Sequence, residues 1–442
     1  MPSHRRLFVL VLVALGLAAP AVALRLLCVG RSCSMDAGAT TRVPFCSLPQ
    51  ATRDLVAAGF RDGRGPHVLA VAGESPVRGA EGIGALPAPW PATGLRRADR
   101  VPLAFAGTGA PVRPDIPEGT TLDAVAPTIA EIIRLDRPHP GVRSGRAIPG
   151  VAGTTRPRLV LLVVWKGVGS ADLEARPDAW PNLRGAMAGG GGTLDARVGS
   201  LPVDPAAVEA TIGTGGLPRD HGITGAVLRN DRGRAVTAWG PRAPFSVIAA
   251  LGDDLDELND QEARIGLVGT QIWDRGLIGG TWYIESDRDD HVLSRGPRRQ
   301  VAAVEGLLSE GYGGDGVPDL LAVAMQGPVP ALDRALGSMA EAAAEASRGR
   351  LAVVITATGS ADRGSAEGVT ARQVEATLEA DLGDVVEATA VGGLFLDQEA
   401  MQVEGVTDDG VIRAARRLEG PGGGSLFDDV FPQIAVTFAR YC

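Results

Sequence analysis

The stretch RPRLVLLVVWKGVGS, residues 156–170, contains the most hydrophobic strand candidate of the sequence. Its apolar run at 159–165 is too continuous for a strand with one face in water, so it predicts a strand buried on both faces of a parallel sheet. The run ends at Lys166, the only lysine among 43 basic residues, and Gly167 follows it. A charge at the tip of a core strand is tolerated only when it is paired.

Shorter apolar runs alternate with amphipathic segments along the rest of the chain. The pattern predicts strands at 66–72, 101–106, 265–270, 320–325 and 351–356, and helices at 121–135, from 206, at 301–309 and at 332–347. This alternation predicts an α/β fold with a mostly parallel central sheet and helices on both faces. Ligands bind at the carboxyl ends of such strands, which makes Lys166, Thr270, Gln326 and residues 356–360 the positions to examine.

The amino terminus has the layout of a secretory signal. Basic residues at 4–6 precede an apolar run at 7–19, and Ala21-Val22-Ala23 offers a small-residue cleavage site, which predicts a signal peptide at 1–23. An uncleaved signal-anchor is the alternative, because residues 7–27 approach the roughly 20 residues needed to span a bilayer. The protein is therefore expected to be secreted or tethered to the membrane, outside the cytoplasm.

The net charge restricts the class of partner, and the cysteine content indicates disulfide bonds. The net charge of −9 and the scattered arginines argue against a nucleic-acid partner, which requires a basic surface. The four cysteines of an exported chain, Cys28, Cys33, Cys46 and Cys442, favour disulfides, with three possible connectivities. Three of them lie near the amino end and Cys442 is the last residue, so the two ends are expected to meet.

Several turns that follow the first core strand occur in a recognisable order. They are Pro181-Asn182-Leu183, Pro202, Thr214-Gly215 and His221-Gly222-Ile223. Together with the strand, residues 156–225 resemble the opening of the alkaline phosphatase superfamily, in its type I phosphodiesterase/nucleotide pyrophosphatase branch. Residues 317–325, Asp333 with Leu336-Gly337, and 353–356 are similar to the later core of that family. The resemblance covers most of the mature chain and implies an alkaline-phosphatase-like fold and a metal-dependent phosphoric ester hydrolase.

The order of the segments differs from that family. Residues 100–148 resemble the carboxyl-terminal part of the same domain, yet they come first. The resemblance therefore implies a circular permutation, with the carboxyl-terminal part at 24–135, a connector rich in Gly, Pro and Arg at 136–157, and the remaining part at 158–442. Such a link is easily made where the ends of a domain lie close together.

The permutation also concerns the cysteines. The new ends, near Cys46 and Cys442, would be adjacent points of the ancestral chain. A disulfide between them would rejoin the chain where it was cut. Two incomplete domains in tandem are the alternative.

The resemblance also locates the expected catalytic positions. The family uses two metal ions, held by carboxylates and imidazoles, and a Thr or Ser nucleophile. The first metal-binding Asp falls on Lys166, the nucleophile on Pro205 and a phosphate-binding Asn on Val208. The later Asp-x-x-x-His pair falls on 326–330, which contains neither residue, and the Asp and His of a further turn fall on Thr358 and Gly359.

A last histidine is expected near 73–91, where none occurs. We therefore expect no catalytic set, no metal and no cofactor. His221 is expected to be a turn residue.

Three roles for Lys166 follow. Its ammonium group is expected to replace the positive charge of the metals, with Asp204 as its partner in a structural ion pair. Alternatively, Lys166, Asp204, Thr358 and Ser360 form a residual pocket for an anionic or phosphorylated small ligand, or Lys166 takes part in catalysis. Acidic clusters at 253–260 and 287–290 are expected to be solvated, because they lack the spacing and glycine of a calcium loop.

The sequence thus predicts an exported pseudoenzyme that binds or scaffolds at the cell envelope. The alternative is an active hydrolase with a rearranged site, in which a serine and Lys166 cooperate.

Overall fold

The structure is a computed structural model that describes residues 44–72, 77–78, 99–110, 116–280, 282–283, 289–361, 369–420 and 422–442. The predicted signal at 1–23, Cys28 and Cys33 lie outside the described residues. Within them, no helix combines the length and apolarity that crossing a membrane requires. Pro44–Cys442 form one compact unit.

The strands are numbered along the chain. They are β1 Val68–Ala72, β2 Val77–Arg78, β3 Arg100–Gly107, β4 Leu159–Trp165, β5 Gly191–Arg197, β6 Val227–Arg229, β7 Ala235–Thr237, β8 Ile265–Gly269, β9 Asp290–Leu293, β10 Asp319–Met325, β11 Leu351–Ala357, β12 Val369–Thr370, β13 Val386–Ala390, β14 Gly393–Leu396 and β15 Phe427–Pro432.

The helices are numbered in the same way. They are α1 Gln50–Gly59, α2 Val125–Ile133, α3 Ser170–Glu174, α4 Pro181–Gly189, α5 Pro205–Thr214, α6 Pro218–His221, α7 Leu251–Glu257, α8 Pro297–Ser309, α9 Val329–Ala346, α10 Ala371–Leu382, α11 Gln398–Glu404, α12 Asp408–Arg416 and α13 Gln433–Thr437. Short 3-10 helices include Pro140–Val142 and Ile272–Leu277.

A seven-stranded sheet in the order β5-β3-β11-β4-β10-β8-β9 forms the centre of the fold. β4 pairs in parallel with β10 and β11, and the parallel pairing continues through β8 to β9. Only β3 runs against its neighbours in this sheet, β11 and β5. The predicted α/β class with a mostly parallel central sheet is therefore confirmed, and every residue of β4, β8, β10 and β11 is buried, as their apolar runs indicate.

A second, four-stranded sheet combines distant parts of the chain. Its order is β13-β14-β1-β15, and β1 pairs antiparallel with both β14 and β15. The predicted strand at 66–72 thus exists as β1, but it belongs to this sheet and not to the central one. Helices α10 and α12 pack on the sheet, which has its own apolar core.

The two ends of the described chain meet beside this second sheet. Cys46 and Cys442 form a disulfide with their Cα atoms 5.1 Å apart. The ring of Phe45 packs edge-on against that of Phe431, with 5.1 Å between the ring centroids. Sequence positions 396 residues apart are thereby joined, which is the pairing that the resemblance implied.

The segment predicted as a connector is held by buried charges. Arg137 and Arg143 donate to the same carboxylate oxygen of Asp254, over 2.7 and 3.0 Å, and both also donate to the carbonyl oxygen of Thr214. Asp254 is fully buried. The expectation that its acidic cluster is solvated is therefore wrong for Asp254, because two guanidinium groups compensate its charge, whereas Glu257 is exposed.

Candidate functional site

Lys166 lies at the carboxyl end of β4, in the middle of the central sheet. Its backbone amide donates to the carbonyl oxygen of Met325 over 2.7 Å, which extends the pairing of β4 with β10 by one residue. The chain then turns at Gly167, whose φ of 68° lies in the left-handed region that favours glycine. The Lys166 residue remains only 2% exposed, so its charged group is enclosed by protein.

The Lys166 ammonium group has partners that come from the loop after β8. It donates to Oδ1 of Asp274 in a short hydrogen bond and to Oγ1 of Thr270 over 3.1 Å. The ring of Trp273 lies 5.7 Å from the ammonium nitrogen, within range of a cation–π interaction. Lys166 is thus bound to the 3-10 helix Ile272–Leu277 and to the end of β8.

Asp274 is held in place by the backbone around it. Its Oδ2 accepts from the amide of Thr270 over 2.5 Å, from the amide of Gln271 over 3.0 Å and from the Thr270 hydroxyl over 3.0 Å. With Lys166 on the other oxygen, both carboxylate oxygens are occupied. This saturated hydrogen bonding fixes a buried negative charge opposite the ammonium group.

Glu209, on helix α5, is the third side chain near the Lys166 ammonium group. It is fully buried, its Oε1 lies 3.6 Å from the Lys166 ammonium nitrogen, and no described residue donates a hydrogen bond to either of its oxygens. Burial, reinforced by the Asp274 charge, raises the pKa of Glu209 well above its ordinary value, although Lys166 acts in the opposite direction. The folded protein therefore holds the Glu209 proton more tightly than the unfolded chain does.

The ammonium group of Lys166 lies near the carboxyl groups of both Asp274 and Glu209. Burial alone lowers the pKa of Lys166, but the carboxyl groups of Glu209 and Asp274 outweigh burial and hold that pKa above its ordinary value. We call Lys166, Asp274, Glu209 and Thr270 the lysine cluster.

The predicted partner of the lysine, Asp204, has another role. Its Oδ1 accepts from the amide of Ala206 over 2.9 Å and from that of Ala226 over 3.0 Å. Asp204 is therefore the cap of α5, whose first residue is Pro205, a position where proline is favoured. The prediction of an Asp204–Lys166 ion pair was wrong, because the amides at the start of the helix take up the carboxylate.

The remaining residues of the predicted anion pocket have separate hydrogen-bond partners. Thr358 is buried and its hydroxyl oxygen accepts from the amide of Gly167 over 3.0 Å. The Ser360 hydroxyl donates to Asp172 over 2.9 Å, so a pair of Ser360 with Lys166 is not formed. Since the ammonium charge is already balanced inside the lysine cluster, this geometry does not favour an anion pocket centred on Lys166.

The positions expected for the nucleophile and its neighbours are structural. Val208 is fully buried, and Gly359 follows β11 with φ 100°. His221 is buried, accepts at Nδ1 from the amide of Ile223 and lies 3.1 Å, through Nε2, from the Thr211 hydroxyl. Burial lowers the pKa of His221 to about 3. This neutral histidine stabilises the turn in which it lies.

The side chains at the expected metal positions do not fit a pair of metal ions. A metal site of the expected kind needs several carboxylate or imidazole ligands around one point. Across the described ranges of the chain, no group of three or more His, Cys, Asp or Glu residues is placed to hold an ion. The carboxyl groups of Asp274 and Glu209, near the carboxyl end of β4, face an ammonium group instead.

Sequence reasoning selected Lys166 and Thr270 but missed Asp274 and Glu209. Glu209 is the one carboxyl group of α5, a helix of otherwise small and apolar residues plus threonines. Asp274 follows Thr270 by four residues, and its side chain caps the start of the 3-10 helix in which it lies. An isolated acid in a buried helix and a capping acid after a core strand were the available signals.

Comparisons with known proteins give distant similarities. No protein-family model and no curated protein matches the chain. Among solved structures, it is similar to wild-type alkaline phosphatase PafA, with 12% identity and a TM-score of 0.42 over 60% of this chain and 76% of that one. It is also similar to phosphonoacetate hydrolase from Sinorhizobium meliloti 1021, with 17% identity and a TM-score of 0.36 over 62% of this chain and 76% of the other. The α/β class itself follows from the strand order and directions of this chain.

Proposed function

We propose that this protein is an exported pseudoenzyme, a binding or scaffolding protein of the cell envelope whose alkaline-phosphatase-like site has been converted. The observation that carries the proposal is the lysine cluster. At the end of the strand where the sequence resemblance expects a metal-binding Asp, Lys166 is 2% exposed and bound to Asp274. A protonated lysine offers only donors, so it cannot ligate a metal.

The neighbouring positions support the same proposal. Pro205, at the position of the nucleophile, has neither a hydroxyl group nor an amide hydrogen, and it begins a helix. A single conversion at Lys166 would leave the nucleophile in place. The joint change favours a protein that retains the scaffold for binding and not for phosphoryl chemistry.

Export is supported by two separate features. Residues 1–23 have the composition of a signal peptide. The disulfide between Cys46 and Cys442 is of a kind that persists in oxidising compartments and is rare in the cytosol of most organisms.

We also propose that the chain order is a circular permutation. β3, from the part that resembles a carboxyl-terminal segment, pairs with β11, which in turn pairs with β4. The disulfide joins the two ends that such a permutation would create. Both observations agree with one domain whose parts are connected in a changed order.

The experiment that tests the pseudoenzyme proposal is a hydrolysis assay. Purified protein is incubated with 4-nitrophenyl phosphate and bis(4-nitrophenyl) phosphate, with and without added Zn²⁺ or Mn²⁺. We expect no rate above that of buffer with the same metal. A metal-dependent rate in the wild type above that of buffer with the same metal would contradict the proposal.

A further inference from the structure

A group of large apolar side chains is exposed beside the disulfide. Nine large apolar side chains are exposed among the described residues, and three of them, Ile434, Phe438 and Tyr441, belong to one short segment. Their exposed fractions are 52%, 52% and 69%. Single exposed apolar residues are common on protein surfaces, whereas a contiguous group marks an interaction site. We call these three residues the apolar patch.

The local backbone places the three side chains of the apolar patch next to one another. Ile434 is on helix α13, and the amide of Phe438 donates to its carbonyl oxygen over 3.3 Å, so the two side chains lie one turn apart on the same face. The 3-10 helix Ala439–Tyr441 follows, and the ring centroids of Phe438 and Tyr441 are 6.0 Å apart. Val436, on the other side of α13, is buried. Helix α13 is therefore held to the protein by one face and carries the apolar patch on the other.

The two chain segments that meet beside the apolar patch contain no acidic side chain. The disulfide between Cys46 and Cys442 brings these segments, 44–53 and 432–442, together. Neither contains an Asp or a Glu, although the protein has 52 acidic residues and a net charge of −9. Asp429, the nearest acid in sequence before the second segment, is buried. A lipid surface can therefore be approached here without desolvating a carboxylate or bringing it close to anionic headgroups.

The same end of the compact unit leads to the predicted amino-terminal signal. Pro44, where the compact unit begins, is two residues before Cys46. A tether at 7–27, the alternative to a cleaved signal, would join the unit beside the apolar patch through residues 28–43. Three side chains are too few for an interface between two copies, because a stable dimer buries about 800 Å² and 20–30 residues on each partner. These observations favour a lipid surface as the occupant.

We propose that the apolar patch inserts into the headgroup region of a lipid bilayer and holds the protein at the membrane surface. Ile434 and Phe438 supply apolar side chains one turn apart on a short helix that lies along the surface of the protein. Tyr441 combines an apolar ring with a polar hydroxyl group, which suits the level of the headgroups. This membrane contact deepens the proposed function, and it rests on that function only in placing the protein at the cell envelope.

The test is co-sedimentation with phosphatidylcholine vesicles, using the chain that the predicted cleavage leaves, residues 24–442. We expect binding that persists at about 0.5 M NaCl, because salt screens charges and does not weaken apolar insertion. The double variant Ile434→Ser, Phe438→Ser should weaken the binding about tenfold or more, which corresponds to about 1.4 kcal/mol.

The matched pair of single variants is Ile434→Ser and Leu293→Ser. The two side chains are isomers with similar exposed fractions, 52% and 56%, but Leu293 lies on β9, the edge strand of the central sheet. We expect Ile434→Ser to weaken vesicle binding about threefold or more and Leu293→Ser to leave it within about twofold. Circular dichroism verifies that each variant is folded.

Three results would overturn the inference. They are a wild-type protein that does not sediment at millimolar lipid, a Leu293→Ser variant that loses as much binding as Ile434→Ser, and a dimer in sedimentation equilibrium that dissociates in Phe438→Ser. The last result would assign the apolar patch to a second copy of the chain. None of them affects the pseudoenzyme proposal, which fails only by metal-dependent hydrolysis, and hydrolysis would leave the vesicle result unchanged.

Discussion

At the scale of single residues, the lysine cluster shows how one ammonium group is accommodated at the centre of a parallel sheet. Lys166 is bound by Asp274 and Thr270 and lies 3.6 Å from Glu209. A buried charge pair contributes little net stability, but removing one member leaves the other uncompensated. The cluster is therefore sensitive to single substitutions and tolerant of paired ones.

Replacing the lysine tests whether single substitutions destabilise the cluster more than paired ones. We expect Lys166→Met to lower the free energy of unfolding by about 3–5 kcal/mol, because the Asp274 charge stays buried without a counter-ion. The double variant with Asp274→Asn removes both charges and should recover much of the loss. Urea unfolding followed by circular dichroism measures both. If Lys166→Met lowers the free energy of unfolding by less than about 1 kcal/mol, which is what a solvent-exposed ion pair contributes, this description of the cluster is contradicted.

Glu209 gives the cluster a pH dependence. Its raised pKa in the folded state means that folded protein keeps a proton that the unfolded chain releases above about pH 4.3. The stability contribution is therefore present below the unfolded pKa and is lost as the pH rises toward the folded pKa.

Glu209→Gln removes that titration. We expect the free energy of unfolding of the variant, relative to the wild type, to increase as the pH rises above the unfolded pKa of about 4.3, by up to about 1.4 kcal/mol per unit. Denaturant unfolding over this range provides the measurement, with Glu257→Gln at an exposed position as the control. A difference between variant and wild type that does not depend on pH would contradict a raised pKa of Glu209 in the folded state.

At the scale of elements, buried polar contacts fix the segments that connect the strands. Asp254 on α7 forms salt bridges with Arg137 and Arg143. Both arginines also donate to the carbonyl oxygen of Thr214, the last residue of α5. One carboxylate therefore holds the 136–157 segment against two helices. The composition of that segment predicted a connector and gave no sign of this attachment.

We expect Asp254→Ala to destabilise the protein by about 3–5 kcal/mol, since it leaves two buried guanidinium groups without their counter-ion. Glu257→Ala, three residues along the same helix and exposed, should change the stability by no more than about 0.5 kcal/mol. Urea unfolding of the two variants gives the comparison. Equal effects would mean that the Asp254 contacts are not what holds the segment.

Sequence patterns predicted the elements whose hydrophobicity is continuous. β4, β10 and β11 were predicted within about a residue, because strands buried on both faces need apolar side chains at every position. β13 is only partly buried, at the edge of the second sheet beside β14, so its apolar pattern is weaker.

Predicting the partner of Lys166 would have required knowledge of which loops meet at the carboxyl end of β4. Asp274 reaches it only because the chain after β8 turns back over the sheet edge. Asp204 is nearer in sequence and looked equivalent, but its position before Pro205 commits it to capping a helix. Charge complementarity in a sequence thus identifies candidates, while backbone amides decide which carboxylates are free to form ion pairs.

At the scale of the whole molecule, a disulfide and a shared sheet join the two ends of the described chain. The disulfide between Cys46 and Cys442 spans 396 positions, and the second sheet joins β1 to β14 and β15 from the far end of the chain. A cross-link over so long a loop restricts the unfolded chain strongly, and stabilisation of about 2–5 kcal/mol is typical for such bonds.

A rearranged chain tests the proposed permutation. The variant starts at Thr155, joins Cys442 to Pro44 through a short glycine linker, omits the residues before 44, has serine in place of Cys46 and Cys442, and ends at Thr154. Thr154 and Thr155 are exposed, and a Cα separation of 5.1 Å at the disulfide is easily bridged. We expect this variant to fold and to be insensitive to reducing agent, while the wild type loses about 2–5 kcal/mol on reduction. A rearranged chain that stays unfolded would contradict the proposal.

The central claim is that Lys166 has replaced a metal-binding carboxylate, and metal binding measured by equilibrium dialysis tests it most directly. Wild type, Lys166→Met and Lys166→Asp are dialysed against Zn²⁺ and Mn²⁺. In Lys166→Asp a third carboxylate joins those of Asp274 and Glu209 near the former ammonium position, and several carboxylates around one point are what a metal ion requires. We predict stoichiometric binding by this variant alone. Retention of about two ions per chain by the wild type, as a two-metal site requires, would contradict the account.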